Sequence, residues 1–171
     1  MRMPQEQDEP LMRRRLAMLL GACVVAFLPA GCGEEEGPGS QPVFPESPEL
    51  VWREIRDCRH SHEHELRFIR VFASPTAEEP YLALSPDVPY PVGATLVKLE
   101  YDDPGCTELL GYTALQKLEP GAQPTGGDWL WQSVSDTREV EQEGAMVRCV
   151  NCHQVHCDAP HGYDLTCAEE I

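Results

Sequence analysis

The residues best equipped for chemistry stand near the carboxyl end, in Cys149-Val150-Asn151-Cys152-His153. Two cysteines separated by two residues and followed at once by histidine form the attachment pattern of c-type haem. The thiols make thioethers to the two haem vinyl groups, and the adjacent imidazole offers a nitrogen to the iron as axial ligand. Spacing on one helical turn matches the separation of the vinyls. The expected cofactor is one covalent haem c, with Cys149 and Cys152 as anchors and His153 as iron ligand. Two other chemistries fit the same thiols. They can bind zinc with two further ligands, or act as a redox dithiol, although no βαβ pattern surrounds them.

Amine chemistry has two side chains to draw on, Lys98 and Lys117. Glu100 shares a strand face with Lys98, because residues i and i+2 point the same way. A carboxylate there can relay protons to or from a bound substrate, which makes Lys98 and Glu100 the catalytic candidates. The competing readings are a surface lysine and a solvated acid. Arg148, just before the haem motif, suits a haem propionate or a plain surface position. His60, His62 and His64 recur at spacing two. On a strand they would share a face and could hold a metal; as a polar cluster they read as exposed loop histidines. Met146 and His156 lie too close in sequence to the motif to cross to the other side of its haem. The histidine cluster is the one group that could, if its strand passes over the haem. Phe68, Phe72 and Tyr90 suit either an apolar distal pocket or plain core.

Positioning these groups falls to a chain of 171 residues with a formal net charge of −16. With 13 Lys and Arg against 29 Asp and Glu, nucleic acid is an unsuitable partner, since a phosphate backbone needs a basic surface. Apolar residues make up 42%, enough for a core. Met12-Arg13-Arg14-Arg15 precedes an apolar run from Leu16 to Leu28, a signal-peptide pattern that is too short to span a bilayer. Ala30-Gly31-Cys32 is similar to a lipoprotein cleavage site, with Cys32 as the lipidated residue; Leu20-Gly21-Ala22-Cys23 is the alternative. The expected organisation is a lipoprotein-type signal over residues 1–31, of which 1–11 read as a gene-model extension, then a flexible Gly/Pro/Glu tether over 32–46 and a domain over 47–171. Localisation follows as export to the periplasmic face of a bacterial membrane, held by a lipid, or soluble in the periplasm if Cys32 is not lipidated. Of eight cysteines, setting aside Cys23, Cys32 and the haem pair leaves Cys58, Cys106, Cys157 and Cys167, enough for two disulfides in three connectivities. Cys157 with Cys167 is the local choice.

Ser47-Pro48-Glu49 starts a helix well, and Val51, Ile55 and Cys58 continue it as one apolar stripe, so the pattern predicts a helix over Pro48 to Arg59. Strand density marks Glu65 to Ala73, Gly93 to Tyr101, Leu109 to Leu118 and Asp128 to Ser135, with a proline-rich loop from Ser74 to Pro91. Strands joined by turns imply an antiparallel sheet. The expected class is α+β: a mainly antiparallel sheet with an N-terminal helix and a C-terminal helix carrying the haem motif.

Tyr90-Pro91-Val92-Gly93 continuing to Lys98-Leu99-Glu100 resembles the "F-P-x-G-x-x-x-x-K-E" strand of the cytochrome P-460 family. Gly111-Tyr112 followed by Gly127-Asp128-Trp129 resembles that family's "G-Y…G-D-W" segment, and Ser61-His62-Glu63-His64 resembles its "S-P-H-G". The likeness runs from about Trp52 to Cys167, with Tyr90 where the family has Phe. It implies a mostly antiparallel domain with helices at its ends, one haem, and frequently a homodimer. One branch oxidises hydroxylamine and carries a lysine bound to the haem, which by place in the strand is Lys98. The other, the cytochrome c′-beta branch, binds nitric oxide or other diatomic gases without that crosslink. The resemblance therefore implies an exported haem protein that binds or redox-processes a small nitrogen species at an open iron, as an oxidoreductase or as a non-catalytic binder. Alternatives are a one-electron periplasmic cytochrome with a redox partner protein, and a haem-free structural or zinc-binding lipoprotein.

Overall fold

Residues 39–157 and 159–167 are described by a computed structural model. Three helices, one 3-10 turn and eight strands follow one another among them: α1 (Pro48–Val51), β1 (Arg53–Ser61), β2 (Arg67–Ala73), α2 (Glu78–Ala83), β3 (Thr95–Tyr101), β4 (Leu109–Lys117), the 3-10 turn Pro124–Gly126, β5 (Trp129–Ser135), β6 (Val140–Gly144), α3 (Val147–His156), β7 (Gly162–Tyr163) and β8 (Thr166–Cys167). Strands β1 to β6 form one sheet in sequence order, each antiparallel to the next, and β7 with β8 makes a small hairpin.

The N-terminal helix expected over Pro48 to Arg59 is absent. Helix α1 stops after one turn, and Arg53 to Ser61 pairs with β2 instead. The helical stripe fails because Val51 is exposed while Cys58 is cross-linked to Cys106. Glu54 accepts two hydrogen bonds from Arg70 across the ladder, at 2.7 and 3.0 Å, a pairing that only the strand form allows. The register of β1 shifts twice, between Glu54 and Arg56 and between Arg56 and Arg59. Such bulges interrupt the alternation by which a strand is read. The α+β expectation is corrected accordingly: the described chain is mostly antiparallel β with few helices, and α3 is the one that reaches seven residues.

The strands β2 to β5 lie within the four segments of strand density. Their register sorts side chains onto two faces. On one face Phe72, Val97, Leu99, Tyr101, Ala114 and Val134 form an apolar cluster, closed by Phe44. Burying each large side chain there contributes about 1.5–3 kcal/mol. On the other face, Val71, Lys98, Thr113 and Ser133 stand in one row across four strands. The next row, Ala73, Leu96, Leu115 and Trp131, is apolar. There Leu96 and Trp131 join Tyr81, Tyr90 and Trp129 in a second cluster, and Val150 of α3 packs on it. Helix α3 is thus held over one end of this face.

Gln132, fully buried, accepts from the Val43 amide at 2.9 Å and donates to the Gln41 carbonyl at 3.1 Å, and Arg138 donates to the carbonyls of Phe44, Pro45 and Glu46. The last residues of the segment read as a tether are therefore bound to the sheet. The signal over 1–31, Cys23 and Cys32 lie outside the described residues.

Candidate functional site

Helix periodicity puts Cys149, Cys152 and His153 on one side of α3, at spacings of three and four. All three line a cavity of about 530 Å³ enclosed by α3, the charged row of the sheet and the turn after β1. Cys149 and Cys152 are free thiols, each half-buried. Burial pushes the Cys149 thiol up from its ordinary value, so it is protonated at neutral pH.

His153 is oriented from both sides. Its Nδ1 lies 2.7 Å from the Leu165 carbonyl, which can only accept, so Nδ1 carries the proton and Nε2 keeps a lone pair. Trp131 packs edge-on against the ring at 4.9 Å. Burial lowers the His153 pKa, against the opposing Leu165 hydrogen bond, and keeps the imidazole in the neutral form that binds metals. The carbonyl that performs this comes from the β7–β8 hairpin, whose turn residues Asp164 and Leu165 both have positive φ, 50° and 62°. Three aromatic tips hold that hairpin: Tyr81 Oη donates to the Cys167 carbonyl and Trp129 Nε1 to the Asp164 carbonyl, both at 2.9 Å, and Tyr90 Oη meets Thr166 Oγ1 at 2.9 Å. The Cys157–Cys167 disulfide closes it onto the end of α3, and a β-carbon at Gly162 would collide with the carbonyl oxygens of Thr166 and Cys157. Cys58 pairs with Cys106. Of the three connectivities, the four cysteines adopt this one.

Lys98 and Glu100 both line the cavity and are not surface groups; their side chains are 14% and 13% exposed. Lys98 Nζ is 3.0 Å from Glu100 Oε1. Glu100 also accepts from Arg67 Nη1 and from Thr113 Oγ1, each at 2.6 Å. Burial opposes ionisation of Glu100, but the Lys98 charge and the hydrogen bonds from Thr113, Lys98 and Arg67 outweigh it and hold the carboxyl at about 2. Burial lowers the Lys98 pKa, and Glu100 opposes that fall. A carboxylate with three donors and so low a pKa is a poor general base. Glu100 acts as the group that positions Lys98 and Arg67. Lys117 does not line the cavity; it donates to the Gly127 carbonyl at 2.8 Å and pairs with Asp164 at 2.7 Å.

His60 and His62 stay together, with ring centroids 4.5 Å apart; His60, next to last in β1, also packs against Phe68 at 5.1 Å and lines the cavity, while His62 is exposed. His64 is turned inward to the cavity, its ring centroid 6.2 Å from that of His153 and its Nδ1 2.7 Å from Ser61 Oγ. Burial, then the charges of Lys98 and His153, push its pKa down to about 3. The exposed-loop reading holds for His62 and fails for His64. Arg148 is exposed and donates to Glu65 at 2.9 Å. Sequence reasoning missed Arg56, a buried residue on the cavity wall whose Nη2 has no hydrogen-bond partner among the described residues. Nothing in its neighbourhood marked it, because the stretch patterned as helix.

The donor set can be tested against the cofactor that the motif implies. Two free thiols at the vinyl-matching spacing and a neutral imidazole with Nε2 available face one cavity, and Arg56 Nη2, without a partner among the described residues, is suited to a haem carboxylate. Haem therefore fits these residues. Zinc fits them less well. Among the described residues, the one group of three ligating atoms within 4.8 Å is His153, Cys157 and Cys167, and its two cysteines are joined to each other. Among the same residues, no helix is long and apolar enough to cross a membrane. Comparison with protein-family models and with curated proteins finds no match to this chain.

Proposed function

We propose that this chain is an exported mono-haem c-type protein resembling the cytochrome P-460 family, and that it binds or redox-processes a small nitrogen species such as nitric oxide or hydroxylamine. The observation that carries the reading is the convergence of Cys149, Cys152 and His153 on one cavity, with His153 Nδ1 committed to Leu165. Haem held there supplies an iron that takes up small ligands and exchanges single electrons. The protein's own part is then specific. Cys149 and Cys152 would carry the thioethers, and His153 Nε2 would bind the iron. Arg56 would hold a haem carboxylate. Lys98, fixed by Glu100, places an amine at the cavity wall where it can donate a hydrogen bond to a small polar ligand. Lipid anchoring at Cys32, a redox partner protein and a homodimer belong to the same proposal.

The test is maturation together with the c-type attachment machinery, followed by intact mass after denaturation. Covalent haem in the native chain and none in Cys149→Ser/Cys152→Ser is expected. A polypeptide mass alone in the native chain refutes the reading. A second reading, one-electron transfer, is favoured by His64, which stands close to the expected iron ligand.

A further inference from the structure

Of the three imidazoles that line the cavity, His60 packs against Phe68 and His62, and the other two, His64 and His153, each have Nδ1 engaged. His153 donates to Leu165; His64 Nδ1 lies within hydrogen-bond distance of Ser61 Oγ, a buried hydroxyl that can accept. The Leu165 carbonyl leaves the His153 Nε2 with its lone pair, and when Ser61 Oγ accepts from His64 Nδ1 the Nε2 of His64 has one too. Two imidazoles bound through Nε2 on opposite sides of one metal ion have ring centroids about 6 Å apart, because each metal–nitrogen bond is about 2 Å long and each ring centre lies about 1 Å beyond it. The centroids of His64 and His153 are 6.2 Å apart.

We propose that His64 is a second protein ligand to the iron bound by His153. The inference rests on the haem reading and goes beyond it, since that reading leaves the iron open. The segment that carries His64 is built to hold it. Its turn residues Glu65 and Leu66 both have φ of 61°, a region that L side chains rarely adopt and that persists only where the surroundings impose it. Glu65 pairs with Arg148 of α3 at 2.9 Å and with Arg67 at 3.2 Å, which ties the turn to the helix that bears His153. Paired left-handed residues recur at Asp164 and Leu165, where His153 finds its acceptor. Each imidazole is thus supported by a strained turn. Other donors on the wall are less suited. Lys98 Nζ is bonded to Glu100, and Met146 precedes α3 on the chain segment of His153 itself. A small ligand would then bind only by displacing His64, so the turn sets how fast the iron opens.

The experiment uses the matured full chain. Intact mass establishes covalent haem, and absorption and electron paramagnetic resonance of the ferric protein establish coordination. The native protein should be six-coordinate and low-spin, His64→Ala should be high-spin, and added imidazole should restore the low-spin state in the variant. His62→Ala should leave the native spectrum unchanged. Carbon monoxide binding to the ferrous native protein should saturate with ligand concentration, and His64→Ala should bind at least about tenfold faster. Pulsed resonance on protein labelled with nitrogen-15 histidine counts axial imidazoles without any substitution, so the test survives a variant that does not fold. Covalent haem with one imidazole, or a low-spin state that persists in His64→Ala, overturns the ligand alone. Absence of covalent haem overturns the ligand and the haem reading together.

Discussion

The two faces of the six-stranded sheet are made by the same strands, yet one is filled and the other is filled only in part. On β3, Val97 and Leu99 point into an apolar cluster with Phe72, Ala114, Val134 and Phe44. Their neighbours Lys98 and Glu100 point to the opposite side, at the wall of a cavity of about 530 Å³. The filled face is close-packed, so each side chain there has partners on every side. The open face has its charges arranged in advance: Lys98, Arg67 and Thr113 all converge on Glu100. One face is closed by its apolar cluster; the other is closed only around Trp129 and Trp131, and its charged row lines the cavity.

The largest test of this division is a pair of adjacent truncations. Phe72→Ala should cost about 3–5 kcal/mol, because it empties a fully enclosed site. Val71→Ala, half-buried on the cavity wall, should cost less than about 1 kcal/mol. Equal losses in urea denaturation would break the comparison. Next in size, Glu100→Gln should cost about 3 kcal/mol, since it leaves Lys98 and Arg67 without their shared carboxylate. Adding Lys98→Met to that variant should recover part of the loss, as a double-mutant cycle can measure.

The same carboxylate gives the open face a pH signature. Glu100 is held at about 2 in the fold, against an ordinary value of 4.5. Below 4.5 the unfolded chain takes up a proton that the folded chain refuses, so unfolding gains. Its contribution should therefore be complete above pH 4.5 and disappear as pH falls through about 2. Glu100→Gln should flatten the stability curve in that window, and Phe72→Ala should shift the curve without changing its slope. The smallest effect is expected at Lys117. Lys117→Met should cost about 1–2 kcal/mol through its bonds to Asp164 and Gly127, and should leave the pH window of Glu100 unchanged.

Legibility in the sequence followed how local each cause is. Strands β2 to β5 are written as runs of strand-forming residues, alternating in β3, and the antiparallel order follows from the turns and loops that join them without a long helix. Strand β1 was misread as helix because its two register shifts erase the period of two, and because Ser47-Pro48-Glu49 starts a helix that lasts a single turn. Glu54 takes the strand form through Arg70, a residue sixteen positions away, and no window over residues 48–59 contains that partner. Arg56 and His64 were obscured for the same reason: both belong to the misread strand or to the turn that ends it.

By itself the sequence determined that Cys149, Cys152 and His153 share one side of a helix, because spacings of three and four meet on a single helical turn wherever the helix sits. It also determined that Lys98 and Glu100 share a strand face, since side chains alternate along any extended chain. Only the tertiary structure decided what those faces look toward. Burial of Lys98, the choice of Cys58 for Cys106, the hydrogen bond from His153 to Leu165 and the approach of His64 to His153 all depend on distant backbone arriving at one place. Local periodicity sets the direction of a side chain relative to its own element; what it meets there is set by long-range packing, which no short window of the sequence contains.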